Sequence, residues 1–220
     1  MSFVKHIHNH GKFFNIYSMK HIKPYKIFES TSPNFPTTRE GVIEVCEKYA
    51  IKNYTINDDL SIDVDSYVYL DNKGLKYLPL KFNYVSGGFD CSNNKLKSLE
   101  GGPQTLGSGF DCSNNKLKSL KGGPQIVGGG FINCSNNKLT DLEYFPEVSG
   151  YINTKFNLIN LLVYTFIKDV NSFLIEDFID YEIVRNGDTV MLDRLQTFIR
   201  DNDLEMPDLD EIKKHYKIIE

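Results

Sequence analysis

The chain has 220 residues, 40% of them hydrophobic and 25% charged, with a formal net charge of −4. Those proportions suit a globular chain with apolar mass for one extended core or two small ones. They exclude a membrane-spanning helix, because no apolar run approaches the roughly 18 residues a span needs. Charge is uneven: residues 1–65 carry 8 basic and 8 acidic side chains, residues 66–157 carry 10 and 7, and residues 158–220 carry 7 and 14. All ten basic residues of the middle segment are lysine. A basic middle beside an acidic tail is not the footprint of a nucleic-acid binder.

In chain order, residues 1–36 read as a flexible leader. They lack the long apolar stretch and small-residue cleavage site of a secretory signal. Met19 offers a second start, which would make residues 1–18 an upstream extension. Residues 37–65 read as an N-terminal cap. "TTREGVIEVCEKYAI" predicts a helix over 37–51 with Cys46 on its buried side. The alternating stretch after it predicts a hairpin turning at Asn57-Asp58-Asp59.

Residues 66–162 repeat themselves. "FDCSNNKLKSLEGGPQTLG" from Phe89 returns as "FDCSNNKLKSLKGGPQIVG" from Phe110 and "INCSNNKLTDLEYFPEVSG" from Ile132. A degraded copy precedes them, with Leu70 in the cysteine slot, and another follows, with Thr154 there. Slot spacings are 21, 21, 22 and 20 residues, and the extra residue falls among Gly128, Gly129 and Gly130. Alternation about Asp90 turns Phe89 and Cys91 to one side, a short strand with one buried face. Stacked copies then bury columns of Phe89, Phe110, Ile132 and Ile152, of the cysteines, of Leu96, Leu117, Leu139 and Ile159, and of Leu78, Leu99, Leu120, Leu142 and Leu162. Asn94, Asn115, Asn137 and Asn157 share one slot and are expected to satisfy backbone groups as a buried ladder. Lys73 breaks that slot in the first copy, and the "GGP" triplets mark return turns.

The tail, residues 163–220, predicts a helical cap. Its helices break near Asn171-Ser172, Asn186-Gly187 signals a hairpin, and Leu192, Leu195, Phe198 and Ile199 line an amphipathic helix. "LDEIKKHYKII" closes the chain as a short helix or strand.

Each copy reads apolar-x-apolar-x-x-Asn-x-Leu-x-x-Leu, which resembles the leucine-rich repeat pattern. The resemblance implies an α+β fold: a short leucine-rich-repeat solenoid of about five coils, with a parallel β-sheet on one face, an N-terminal helix/hairpin cap and a helical C-terminal cap. The whole layout, with its "YTIN…SIDV" hairpin, "CSNNKL…SLEGGP" coils and "DTVMLDRL" tail, is similar to leucine-rich repeat proteins of bacteriophages and environmental viral genomes. That likeness implies a viral protein in a host cytoplasm and no reaction. Leu60 and Ser66–Tyr67 depart from it, standing where small turn residues are expected.

Chemistry is sparse. The histidines are His6, His8, His10, His21 and His215, so none lies between residues 22 and 214 to serve as acid, base or triad member. His6-x-His8-x-His10 has metal-binding spacing but reads as part of a polar leader. The cysteine column lacks the close spacing of a zinc site, and parallel thiols do not point at one another. The glycine-rich turns follow no strand-to-helix phosphate loop. We therefore expect no catalytic residue, no metal and no cofactor. Arg185, Asp188, Asp193 and Arg194 are the polar residues of the tail that could carry an activity; they read as surface ion pairs and a helix N-terminal charge pattern.

Two surfaces are expected. The strand face should offer Tyr69, Asp90, Asp111, Asn133 and Asn153 in one row, with Asp71, Ser92, Ser113 and Ser135 beside it, then Asn93, Asn114, Asn136 and Phe156. Such a face suits an unidentified protein partner, a host protein if the source is viral, with the chain itself a monomer. Lys95, Lys116 and Lys138, flanked by Lys97 and Lys118, form a strip that reads either as a solubilising edge or as a site for nucleotides or nucleic acid. The absence of Arg between 66 and 157 counts against phosphate recognition.

Overall fold

The computed structural model describes residues 35–167 and 172–220. The histidine-rich leader and the break before Ser172 lie outside them. Helix α1 (Arg39–Lys48) starts at Thr38, whose Oγ1 accepts the Gly41 N–H at 3.1 Å. Val42 and Cys46, four residues apart, share its buried side. Strands β1 (Tyr54–Ile56) and β2 (Ile62–Val64) form the predicted hairpin, with Tyr54 opposite Val64 and Ile56 opposite Ile62. Asp59 closes its turn, accepting both the N–H and the hydroxyl of Ser61. Leu60 takes φ +64 there, the left-handed conformation that a small residue would enter more cheaply, and its side chain packs on the core.

The repeats follow as pairs of very short strands. They are β3 (Val68–Tyr69), β4 (Phe82–Val85), β5 (Phe89–Asp90), β6 (Thr105–Leu106), β7 (Phe110–Asp111), β8 (Ile126–Val127), β9 (Phe131–Asn133), β10 (Glu147–Val148) and β11 (Tyr151–Asn153). Odd-numbered strands from β3 to β11 stack in order as one parallel sheet of five. Even-numbered strands join the hairpin in a second sheet, order β1-β2-β4-β6-β8-β10, parallel from β2 onward. The chain therefore winds a parallel β-solenoid of about four turns with helices at both ends, an α+β protein.

This corrects the expectation of one sheet and a turn-like return. After Pro103, Pro124 and Pro146 the chain runs extended, turning Leu106, Val127 and Val148 inward beside Val85. The corner between the sheets takes three residues in most coils, as between Val85 and Phe89, and four between Val127 and Ile132. The extra residue is absorbed at that corner, where Gly130 adopts φ +83, and both sheets keep register. Gly101 and Gly122 each take φ +87 in the turn before the second sheet, and a Cβ on Gly101 would stand 2.6 Å from the Leu80 carbonyl oxygen.

The expected columns are buried. Phe89, Phe110, Ile132 and Ile152 stack inside, beside Leu70, Cys91, Cys112, Cys134 and Thr154. Both leucine columns are buried as well. Losing one such leucine side chain costs about 2–5 kcal/mol, because a stacked coil cannot collapse into the void. The asparagine ladder is complete. Asn115 Nδ2 donates to Cys91 O at 3.0 Å, Cys112 O at 3.1 Å and Ser113 O at 3.2 Å, while its Oδ1 accepts the Leu96 N–H at 2.9 Å. Asn94 and Asn137 do the same one coil before and after, and Asn157, one coil further, donates to Cys134 O and Thr154 O and accepts the Leu139 N–H. Each side chain thus ties its own turn to the coil before it.

The fifth copy does not close a coil. Past Asn157 and Ile159 it enters helix α2 (Asn160–Ile167), and α3 (Ser172–Asp180) follows. Strands β12 (Val184–Arg185) and β13 (Thr189–Met191) form the Asn186-Gly187 hairpin, with both turn residues at positive φ. Helix α4 (Leu192–Asp201) buries Leu195 and Phe198, the latter edge-on to Phe178 at 5.5 Å. Helix α5 (Leu209–Ile212) and strand β14 (Lys217–Ile219) end the chain, β14 running parallel to β13. Among the contacts of this cap with the solenoid, Tyr216 donates its hydroxyl to Thr140 O at 3.0 Å, Asn160 Nδ2 donates to Thr154 Oγ1 at 3.0 Å, and Gly187 lies against the Thr140 and Asp141 side chains.

Candidate functional site

The outer side of the five-stranded sheet is laid out by its register. Along one column stand Tyr69, Asp90, Asp111, Asn133 and Asn153, as the sequence predicts. Two residues back along each strand, on the same side, stand Tyr67, Gly88, Gly109, Phe131 and Tyr151. The sequence reading missed this aromatic column. Its signal was present: the two best-matched copies carry glycine in a slot where the outer copies carry an aromatic ring.

The rings occupy the space the glycines leave. A Cβ on Gly88 would stand 3.2 Å from Tyr67 Cε1, and one on Gly109 only 2.7 Å from Phe131 Cε1. Tyr67 and Phe131 therefore lean toward each other from opposite ends of a two-coil floor. Tyr67 also lies nearly parallel to Tyr69, with ring centroids 6.1 Å apart. All four aromatics Tyr67, Tyr69, Phe131 and Tyr151 remain exposed.

Beside the glycine floor, Asp90 and Asp111 sit one coil apart. Each has a local role: Asp90 Oδ1 accepts the Ser92 N–H and Asp111 Oδ1 the Ser113 N–H, both at 2.9 Å. Asp111 Oδ2 also accepts from Asn133 Nδ2 at 3.0 Å. Asn133 Oδ1 accepts from the Ser135 backbone and hydroxyl. Asp71 accepts from the neighbouring Asn72 amide. Among the described residues no cation pairs with Asp71, Asp90 or Asp111.

One row needs correction. Ser92, Ser113 and Ser135 are 4%, 3% and 6% exposed and are not a binding surface. The chain is already bending at that slot, and each hydroxyl is held locally: Asn93 and Asn114 donate to Ser92 and Ser113 Oγ, and the Ser135 hydroxyl donates to Asn133 Oδ1. Asn93, Asn114 and Asn136 are exposed as expected, but backbone geometry explains their identity: with Asn72 they hold φ between +53 and +55. Asparagine tolerates that conformation better than other non-glycine residues. Phe156 holds the same slot at φ +62 and is 75% exposed, so no packing offsets its strain.

Around the next corner the lysines stack. Lys95, Lys116 and Lys138 donate their backbone N–H groups to the preceding coil at 2.8 Å and extend into solvent, with Lys97 and Lys118 alongside. None of the five meets a carboxylate among the described residues.

The thiols offer no reactive centre. Burial pushes Cys46 up to about 11 and Cys134 up to about 12, and drives Cys91 and Cys112 well above the usual thiol range. Neutral buried thiols are poor nucleophiles and poor metal ligands. In the tail, Glu182 gathers Arg194 at 2.7 Å and Arg185 at 3.3 Å, which holds its carboxyl below the usual range. Asp188 accepts from Thr189, and Asp193 lies in the first turn of α4. These contacts account for the four tail residues singled out in the sequence. No helix among the described residues is long and apolar enough to cross a membrane. The chain matches no protein-family model, no curated protein and no solved structure.

Proposed function

We propose that the chain is a non-enzymatic interaction module of the leucine-rich repeat type, docking a protein partner on its five-stranded face. The observation that carries this is the face itself: exposed rings at both ends and, between them, carboxylates that no cation pairs with among the described residues, on a framework with a buried apolar interior. Strained and unpacked Phe156 extends the same surface, and such strain tends to persist where it serves binding. The resemblance to phage and environmental viral proteins suggests a host protein as partner and a host cytoplasm as setting. Affinity purification of the tagged chain from host lysate tests the reading. Asp90→Asn with Asp111→Asn removes charge while keeping the oxygen that caps each turn. The pair should lose the captured partner while the chain stays folded, its melting temperature falling only by the small amount that loss of the Asn133-to-Asp111 hydrogen bond entails; undiminished capture would remove this face from consideration.

A second reading rests on the five lysines that meet no carboxylate among the described residues, whose regular column could hold a phosphate-bearing small molecule or a nucleic acid. It requires binding of labelled nucleotides or oligonucleotides that weakens steeply with salt. No binding at low ionic strength retires it.

A further inference from the structure

The five-stranded face has a chemistry more specific than "polar". Its outward residues form two columns, Tyr67, Gly88, Gly109, Phe131 and Tyr151 beside Tyr69, Asp90, Asp111, Asn133 and Asn153. Stacked strands lie roughly 4.8 Å apart, so the ring-bearing coils, three steps apart, stand about 14 Å from each other with the glycine floor and its two carboxylates between them. One ring leans over each floor glycine, and one carboxylate flanks each. No cation of the described chain neutralises those carboxylates, although five lysines stand around the next corner. Among the described residues, neither the carboxylates nor the lysines have an ion-pair partner, and the two sets lie in different rows of the repeat.

We propose that this face takes an extended, arginine-bearing segment of the partner protein, its guanidinium groups stacked on Tyr67 and Phe131 and paired with Asp90 and Asp111. The inference rests on the docking reading above and names the partner's chemistry. Charge complementarity selects a cationic occupant. The rings then favour arginine over lysine, because a planar, weakly hydrated guanidinium stacks on an aromatic face while its edge still donates to a carboxylate. The carboxylate oxygen of Asp90 that caps no turn is free to accept such a donor. Apolar surface is confined to the rings, which suits a segment that alternates arginine with small residues.

The test uses the full chain and a fluorescent peptide, Gly-Arg-Gly-Arg-Gly-Arg-Gly, with its lysine and glutamate counterparts, followed by anisotropy at low ionic strength. The arginine peptide should bind, the lysine peptide at least about threefold more weakly, and the glutamate peptide not at all. Asp90→Asn with Asp111→Asn should weaken arginine binding about tenfold or more. Tyr67→Leu with Phe131→Leu, which keeps apolar cover over the glycines, should weaken it about tenfold. Circular dichroism melting of each variant separates lost contacts from lost folding. Equal binding by wild type and the aspartate variant would move the peptide to the acidic tail and overturn the proposal. So would a concentration-dependent dimer that the peptide displaces, since the face would then belong to the lysine edge of a second copy. Failure of the peptide alongside charge-dependent capture from lysate overturns the arginine assignment alone, whereas failure of both overturns the docking reading too.

Discussion

Two asparagines stand side by side in each "SNN" and do different work. Asn115 is buried and spends its amide on the backbone of two coils. Asn114 is exposed and supplies a left-handed turn at φ +55. Asn115→Ala should cost about 3 kcal/mol in chemical denaturation, because buried carbonyls and the Leu96 N–H lose their partner. Asn114→Gly should stay within about 0.5 kcal/mol, since glycine accepts the same backbone angle. Equal losses at the two sites would contradict these assignments. Phe156→Asn is the converse case: it relieves strain at an exposed position and should stabilise the fold by about 0.5–1 kcal/mol. If Phe156 serves docking, the same change lowers partner capture, so the two readouts should move in opposite directions.

At the scale of elements, the legible parts were those with long patterns or specific turn chemistry. Helix α1 announced itself through Thr38 and its apolar spacing, and the second hairpin through Asn186-Gly187. The five-stranded sheet was legible because the repeat supplies each two- or three-residue strand with several aligned witnesses. The second sheet was not, because "TL", "IV" and "EV" are too short to alternate visibly and follow glycine and proline, which read as turn. Seeing it needed the column Val85, Leu106, Val127, Val148 to be read across copies. For the candidate site, the Asp and Asn column was legible from alternation alone. The buried serines were misplaced because strict alternation fails where the strand bends.

The contact between cap and solenoid has a pH signature. Burial raises Asp141 above the usual carboxylate range, outweighing the Glu143 N–H and Thr140 hydroxyl that favour its charged form. A carboxyl raised by folding favours the folded state most when protonated. That contribution is complete below its ordinary value near 3.9 and is lost as pH rises through the raised one. Asp141→Asn should therefore increase stability at neutral pH and flatten this part of the stability–pH curve, read by urea denaturation across pH 3–8 (roughly the span of that titration). Greater loss at neutral pH than in acid would contradict it.

As a whole molecule, the chain behaves as a stack whose coils are interchangeable units. Deleting residues 92–112 rejoins Cys91 to Ser113 in register, because the two copies differ by 21 residues and present the same side chains at the junction. The shortened chain should still fold, with a smaller dependence of unfolding free energy on denaturant, since less surface is exposed. The excision also removes Asp111 and one floor glycine, so it should weaken any ligand of the five-stranded face.

The stack itself is tested by counting thiols in the native protein. Cys91, Cys112 and Cys134 are wholly enclosed between coils, and the burial that makes them weaker acids leaves almost no thiolate at neutral pH. Mass-spectrometric mapping after brief alkylation at neutral pH should find these three unmodified in native protein and all modified in denaturant. Their rapid and complete labelling in the native state would contradict the stacked solenoid, and with it every surface assigned from its register.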